Sequence, residues 1–158
     1  MADKNQIEIS KRYGLIGYPL GHSWSGQYFD ELFKREGLSD CRYDLFPIAD
    51  IRELPNLLNS YPDLKGLNVT IPHKESVMAF LHAIDPMAAE IGAVNTIKID
   101  RRKGIPFLTG YNTDAWGFMQ SLVMHGIGAG SAMILGSGGA AKAVYHALRQ
   151  LGWEICVV

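Results

Sequence analysis

A strand, a glycine-rich turn, a helix and a second strand follow one another near the end of this 158-residue chain. Residues 132–135 are apolar, and the turn at residues 136–139 reads Gly-Ser-Gly-Gly. Apolar residues then recur at helical spacing until Gly152, and residues 154–158 have the composition of a strand. This order predicts a βαβ unit, the repeating unit of parallel α/β sheets.

The glycine turn is suited to holding phosphate groups. Gly136 allows a tight turn, Gly138 lets the backbone approach a pyrophosphate, and Ala141 keeps the helix close to the strand. The free N–H groups and the positive dipole end of the helix attract phosphates. We therefore expect dinucleotide binding, and the alternative is a glycine-rich turn in an unrelated α/β protein. The expected cofactor site comprises Gly136, Ser137, Gly138, Gly139 and Ala140.

A second informative stretch is NVTIPHK at residues 68–74. Asn68 and Thr70 are two residues apart, so they share one face of an extended strand. Pro72 ends regular strand pairing because it has no N–H to donate. Lys74 follows, with an amine that can donate, accept or carry a proton. The stretch predicts either a strand end that places an acid or base on a rigid scaffold, or a turn with a solvated lysine.

Two serines, Ser23 and Ser25, lie between the first predicted strand and the first predicted helix. One interpretation is that they only cap the helix, with Ser25 as the N-cap. The other is that two hydroxyls beside His22 bind a small polyhydroxylated ligand at the mouth between strand and helix. The residues alone leave both interpretations open.

Apolar periodicity predicts further strands and helices along the first 125 residues. The expected strands are residues 13–17, 41–47, 64–71, 93–99 and 107–114. The expected helices are one that ends at Gly37 and those at residues 51–58, 75–82, 85–91 and 114–125. The alternation of strands with helices is typical of an α/β fold.

Composition argues against several classes of protein. The formal net charge is −1 with no long run of either sign, so no nucleic-acid or anionic-membrane partner is expected. No apolar stretch reaches membrane-spanning length, and charges near the N-terminus argue against a signal peptide. Cys41 and Cys156 lack metal-site or redox spacing, which predicts reduced thiols in a cytoplasmic protein. No cluster has the spacing of metal ligands, so no metal site is expected.

Five motifs in a fixed order extend these observations. They are GYPLGHSWS at residues 17–25, NVTIPHK at 68–74, GAVNT at 92–96, GYNTD at 110–114 and GSGGA at 136–140. Each motif alone carries little weight, but the five in this order are highly specific. Together they resemble the shikimate dehydrogenase family, and the resemblance covers residues 13–158.

The resemblance implies a two-domain α/β enzyme that interconverts 3-dehydroshikimate and shikimate with NADPH. The first domain, residues 1–113, would be a mostly parallel three-layer α/β domain that binds the substrate. Residues 114–158 would be a connecting helix and the truncated start of a Rossmann cofactor domain. The active site would lie in the cleft between the two domains.

The resemblance also assigns roles by position. The serines and Thr70 would hold the shikimate carboxylate, and the other binding residues would surround the ring hydroxyls. Lys74 and Asp114 would be the catalytic acid–base pair. The glycine turn would bind the pyrophosphate of NADP, with NAD as the alternative cofactor. The implied substrate-binding set comprises Ser23, Ser25, Asn68, Thr70, Lys74, Asn95 and Asp114.

The chain departs from the family pattern at several positions. Gly26 stands where the family usually has proline, and Phe29 and Asp30 replace a His-Asn pair. The segment that sorts NAD from NADP would lie roughly 20 residues past the glycines, beyond Val158. We therefore expect a truncated chain that binds its substrate and whose turnover is undecided.

Two alternatives to an NADP-dependent shikimate dehydrogenase stay open at the level of sequence. One is a quinate/shikimate dehydrogenase that uses NAD. The other is a non-catalytic module that binds shikimate-like acids without hydride transfer. The expected partner in each case is a small-molecule substrate, and a homodimer is a further alternative for the assembly.

Overall fold

Strands and helices alternate through residues 9–158, the part of the chain that the computed structural model describes. The strands are β1 (Lys11–Gly17), β2 (Cys41–Pro47), β3 (Leu64–Val69), β4 (Ala83–Ile84), β5 (Thr96–Arg102), β6 (Ile105–Tyr111), β7 (Ser131–Ile134) and β8 (Glu154–Val157). The α-helices are α1 (Ser25–Arg35), α2 (Leu54–Ser60), α3 (Pro86–Ile91), α4 (Asp114–Met124) and α5 (Gly139–Gln150). None of the helices between residues 9 and 158 is long and apolar enough to span a membrane.

Six of these strands form one sheet in the order β2-β1-β3-β5-β6-β4, and β7 and β8 form a two-stranded sheet. β1 pairs in parallel with β2 and β3, β4 pairs in parallel with β6, and β7 pairs in parallel with β8. Only Lys103 and Gly104 join β5 to β6, and both have positive φ, as a two-residue hairpin turn requires. The predicted α/β fold with a mostly parallel sheet is confirmed.

By its internal contacts the chain divides into two compact units. The first unit comprises the residues up to His73 together with Lys98–Phe107. The second unit comprises Lys74–Ile97 together with Leu108–Val158. The domain division at residues 1–113 and 114–158 rests on the family resemblance and stays a prediction.

Strand side chains and the aromatic face of α1 form the core of the first unit. Ile16 and Leu64 are completely buried. Phe29 stacks on Tyr43 of β2, with ring centroids 4.2 Å apart, and Phe33 packs on the same cluster one helical turn later. The apolar residues whose spacing predicted this helix are therefore the residues through which it packs on the sheet.

Small side chains form the core of the second unit. Ala143 and Ala147 of α5 pack with Ile91, Ala93 and Ala115. Because Ala115, Ala143 and Ala147 contribute only methyl groups, α3 and α4 can each approach α5 closely in a densely packed interior. This close approach brings the start of α5 near the residues that precede β5.

Two predicted elements differ from the structure. The helix predicted at residues 75–82 is only a 3₁₀-helix, Ser76–Phe80, and the strand predicted at residues 93–99 begins at Thr96. The reason is that the Val94 N–H donates to the Lys74 carbonyl oxygen at 2.7 Å instead of to a strand. The bond between Val94 and Lys74 therefore joins the segment before β5 to the segment after β3.

We predict that Tyr43 makes stability fall at alkaline pH. Burial raises the pKa of Tyr43 to about 12, although a hydrogen bond with Ser25 acts in the opposite direction. Because this folded pKa lies above the unfolded value of about 10, the stabilisation is complete below pH 10 and is lost as pH rises towards 12. Over that interval, the free energy of unfolding of the wild type should fall by roughly 2 kcal/mol more than that of Tyr43→Phe.

Denaturant unfolding at pH 8 and pH 11 measures the effect, and between these two pH values it should amount to about 1.4 kcal/mol. The exposed Tyr28 provides a matched control, since Tyr28→Phe should retain the wild-type pH dependence. Absorbance titration at 295 nm should also show one late-titrating tyrosine among the seven, and Tyr43→Phe should lack it. Parallel unfolding curves for wild type and Tyr43→Phe across this pH range would contradict the prediction.

Candidate active site

A lysine, a carboxylate and an amide are hydrogen-bonded in series in the second unit. Lys74 Nζ donates to Asp114 Oδ2 at 2.7 Å. Asn95 Nδ2 donates to the other carboxylate oxygen, Oδ1, also at 2.7 Å. Asp114 is the first residue of α4, where the positive end of the helix dipole stabilises a carboxylate. Three of the residues assigned by the family resemblance therefore lie together.

A buried amide, Asn112, holds Asp114 in place. Its Oδ1 accepts from the backbone N–H groups of Asp114 at 3.0 Å and Ala115 at 3.2 Å, and its Nδ2 donates to the Ala93 carbonyl oxygen at 2.9 Å. Asn112 thus caps α4 from two residues before its start. The sequence analysis did not select this residue, although an Asn at the start of a helix is a recognisable capping signal.

The second amide, Asn95, is fixed by contacts with the residue before α4. Its Oδ1 accepts from the Thr113 N–H at 2.9 Å, and its Nδ2 donates to Thr113 Oγ1 at 2.9 Å as well as to Asp114. These bonds determine which end of the amide faces the carboxylate. The orientation of the Asp114 carboxylate is therefore set before any ligand arrives.

The arrangement around Lys74 leaves its ammonium free to act on a ligand. An ammonium has three N–H donors, and Asp114 is the only hydrogen-bond partner of the Lys74 ammonium within residues 9–158. The Lys74 side chain is only 18% exposed, so little water competes for the remaining donors. Such a lysine can donate a hydrogen bond or a proton to a ligand oxygen while the carboxylate keeps it in position.

A separate polar group lies in the first unit. The Tyr43 hydroxyl donates to Asn68 Oδ1 at 2.9 Å, and the Ser25 hydroxyl lies close enough to Tyr43 to act against the rise in its pKa. Ser23 Oγ accepts from the Ser25 N–H at 3.3 Å. Thr70 makes no hydrogen bond with these side chains among the described residues, and its methyl group lies 2.4 Å from where a Cβ on Gly17 would be. The hydrogen bonds thus join Ser23 to Ser25 and Tyr43 to Asn68, and Thr70 takes part in neither.

The contacts of the two serines correct one prediction. Ser25 is the first residue of α1 and not its N-cap, because Trp24 occupies that position without a side-chain hydrogen bond. Ser23 also lines an open cavity of about 310 Å³ together with His22 and Trp24. Tyr43 is the residue of this group that the sequence analysis missed, since an aromatic residue in a strand is normally a core residue.

The glycine turn has the geometry that phosphate binding needs. Gly136 has a φ of +108°, a conformation that side-chain-bearing residues rarely adopt, and its N–H donates to the Val158 carbonyl oxygen at 2.8 Å. The first helical hydrogen bond of α5 runs from Lys142 N to the Gly138 carbonyl oxygen. The N–H groups of residues 139–141 therefore have no partner within the helix.

The surface at this turn also has room for a phosphate group. A Cβ added at Gly136 or Gly138 would meet no atom within 4 Å, and the first turn of α5 contains no acidic residue. An adjoining cavity of about 390 Å³ is lined in part by Ser137 and Lys142. Ala140, which the helical spacing of the apolar residues predicts on the inner face of the helix, is exposed instead. The residues present fit a dinucleotide phosphate, whose binding here stays a prediction.

A metal site is not found in the part of the chain that the structure describes. These residues contain no group of three or more His, Cys, Asp or Glu side chains close enough to hold an ion.

Comparison with known proteins places the chain in a family. The family model described as the shikimate dehydrogenase substrate binding domain matches residues 15–97, just over half of the chain. The shikimate dehydrogenase (NADP(+)) of Oleidesulfovibrio alaskensis is 44% identical over 142 residues, which cover 89% of this chain and 49% of that protein. The chain thus spans about half the length of the curated relatives it matches.

Two solved structures have the same fold. Shikimate dehydrogenase 1 from Peptoclostridium difficile is 37% identical with a TM-score of 0.82, covering 93% of this chain and 56% of that one. Shikimate 5-dehydrogenase from Thermus thermophilus, in complex with NADP(H) and shikimate, is 36% identical with a TM-score of 0.78, covering 93% and 55%. These comparisons confirm the resemblance inferred from the five motifs, and the chain belongs to the shikimate dehydrogenase family.

Proposed function

We propose that the protein acts as an NADP-dependent oxidoreductase that interconverts 3-dehydroshikimate and shikimate. The observation that carries this proposal is the 2.7 Å hydrogen bond between Lys74 and Asp114, with Asn95 on the second carboxylate oxygen. The names of the relatives supply the reaction for which such an acid–base pair is suited. Because the chain spans about half the length of those relatives, activity of this chain is part of the proposal.

Lys74 is proposed as the group that moves the proton. Reduction of a ketone adds a hydride to the carbonyl carbon and a proton to its oxygen, and bound NADPH would supply the hydride. The Lys74 ammonium stabilises the negative charge that develops on the oxygen and donates the proton. In the reverse direction, neutral Lys74 accepts the proton of the hydroxyl group. Asp114 orients the amine, and Asn95 keeps the carboxylate in place.

The serines and their neighbours are proposed to bind the substrate through groups other than its reacting carbon. Ser23 and Ser25 would bind the carboxylate of shikimate through their hydroxyls, aided by Thr70, and Asn68 would bind a ring hydroxyl. The Tyr43 hydrogen bond supports this assignment because it fixes the orientation of the Asn68 amide. Tyr43 is buried, so its hydroxyl is held at one position.

The β7–α5–β8 segment is proposed as the first unit of a Rossmann domain. The open surface at Gly136 and Gly138 and the following N–H groups, which have no partner within the helix, support pyrophosphate binding there. The preference for NADP over NAD rests on the name of the relatives and on the complex of the Thermus protein. A cytoplasmic location is proposed from the free Cys41 and Cys156, and a homodimer stays an untested alternative.

We predict that Lys74→Ala removes turnover and retains much of the affinity for shikimate. General acid–base groups contribute about 10²–10⁴-fold to enzyme rates, so NADPH oxidation with 3-dehydroshikimate should fall by that factor. Lys98→Ala is the matched control, because Lys98 also pairs with a carboxylate, Asp100, but is largely exposed. Absorbance at 340 nm measures the rate, and wild-type turnover in Lys74→Ala would reject the assignment.

We also predict that this chain binds shikimate in a calorimetric titration and that Ser23→Ala weakens the binding. Loss of a hydrogen bond to a charged carboxylate costs about 1.5–3 kcal/mol, or roughly 10- to 100-fold in affinity. Ser60→Ala, an exposed serine at the end of α2, should bind as the wild type does.

The outcomes of the titration separate the competing functions. Binding of shikimate without NADPH oxidation would favour a binding module over an enzyme. Equal binding of quinate and shikimate, with turnover supported by NAD, would favour a quinate/shikimate dehydrogenase. If the wild-type chain binds neither acid, the substrate assignment to Ser23 and its neighbours fails for this chain.

A further inference from the structure

We propose that Gly139 and the ion pair between Glu75 and Lys142 are positioning residues for Lys74. Through them, the turn proposed to bind the cofactor contacts the segment of the proposed acid–base group, so the position of Lys74 depends on the position of that turn. The inference rests on the proposed function in one respect, namely that Lys74 is the acid–base group. All the contacts that support it lie within the second unit.

Gly139 lies directly against the stem of Lys74. A Cβ built on Gly139 would be 2.8 Å from Lys74 Cβ, 3.3 Å from Lys74 Cδ and 3.2 Å from the Ala93 Cβ. Ordinary carbon–carbon contacts are 3.5–4.0 Å, so a methyl group at this position requires a shift of about 1 Å. The closest atom is a Cβ fixed to the backbone, and a rotamer change of Lys74 cannot move it away. Gly139 is therefore required by its contact with Lys74 and not by its own backbone conformation.

The neighbours of Lys74 and Gly139 form a second link. Lys142, three residues after Gly139, places its Nζ 2.5 Å from the Oε2 of Glu75, the residue after Lys74. Both side chains are partly exposed, so the pair guides position more than it adds stability. The same short segment of α5 thus contacts the Lys74 stem through Gly139 and the following residue through Lys142.

Neither Gly139 nor the Lys74 backbone can move away from this contact without disturbing buried neighbours. Gly139, Ala143 and Ala147 are spaced four residues apart, so they lie on one face of α5, and the two alanines are completely buried. On the other side, the Lys74 carbonyl oxygen accepts from the Val94 N–H at 2.7 Å, and Val94 is also completely buried. A displacement at Gly139 is consequently transmitted to Lys74, whose ammonium is held by one hydrogen bond to Asp114.

The first test measures the reactivity of the Lys74 amine in Gly139→Ala. Reductive methylation followed by peptide mass spectrometry reports how well each lysine is protected. We expect Lys74 to react several-fold faster in Gly139→Ala than in the wild type, because the displaced ammonium leaves Asp114. Gly138→Ala is the matched control, since its added Cβ meets no atom within 4 Å and its φ of −74° suits alanine. Equal Lys74 methylation in Gly139→Ala and the wild type would overturn the role of Gly139.

The second test uses rescue and applies even if Gly139→Ala fails to fold. Lys142→Glu places two carboxylates together and should increase the methylation of Lys74. The double variant Glu75→Arg/Lys142→Glu restores an ion pair of opposite sense and should return Lys74 to its wild-type rate. Since exposed ion pairs contribute little, each change should be smaller than about fivefold. Increased methylation in the single variant that persists in the double variant would contradict positioning by this pair, as would no increase at all.

These measurements separate the inference from the proposed function. Methylation requires neither shikimate nor NADPH, so it reports on Lys74 whether or not the chain binds them. If the wild-type chain fails to bind shikimate and Gly139→Ala still exposes Lys74, the proposed function fails and the positioning role holds. If shikimate binds and both variants leave Lys74 protected, the positioning role fails and the proposed function survives.

Discussion

The hydrogen bond from the Val94 N–H to the Lys74 carbonyl oxygen, 2.7 Å long, joins the two connecting segments on which the second unit depends. It links the turn after β3 to the residues before β5, and both Ala93 and Val94 are completely buried at that point. Since a buried backbone group without a partner costs free energy, this bond cannot be exchanged for water without a penalty. The positions of Lys74 and of Asn95, one residue after Val94, are therefore coupled through the backbone.

Local patterns in the sequence were sufficient to predict the parts of the fold that depend on local interactions. The glycine turn and α5 follow from spacing and from glycine positions, and α3 begins where Asp85 Oδ1 accepts from the Met87 N–H. Residues 93–95 were predicted as strand because their composition suits one. Their backbone N–H groups donate instead to three separate partners, Ala88, Lys74 and Tyr111, and periodicity does not encode which partners a segment finds.

The candidate site shows the same limit at the level of side chains. The motifs select Lys74, Asn95 and Asp114, and the structure groups them. The residues that orient them are less visible, because Asn112 resembles an ordinary turn residue and Tyr43 an ordinary core aromatic. Gly139 was assigned to phosphate binding alone, since its contact with Lys74 joins two segments that only the folded chain brings together. Motifs therefore identify reacting groups better than they identify the supports of those groups.

The buried amide of Asn112 has a consequence for the entropy of ligand binding. Its hydrogen bonds fix the backbone at Asp114 while Asn95 holds the carboxylate, so Asp114 loses its conformational freedom when the chain folds and not when a ligand arrives. Immobilising a side chain at the moment of binding would weaken affinity by about 0.5–1.5 kcal/mol, and here that cost falls on folding. Affinity for the ligand and stability of the second unit are thus linked through one side chain that a ligand need never touch.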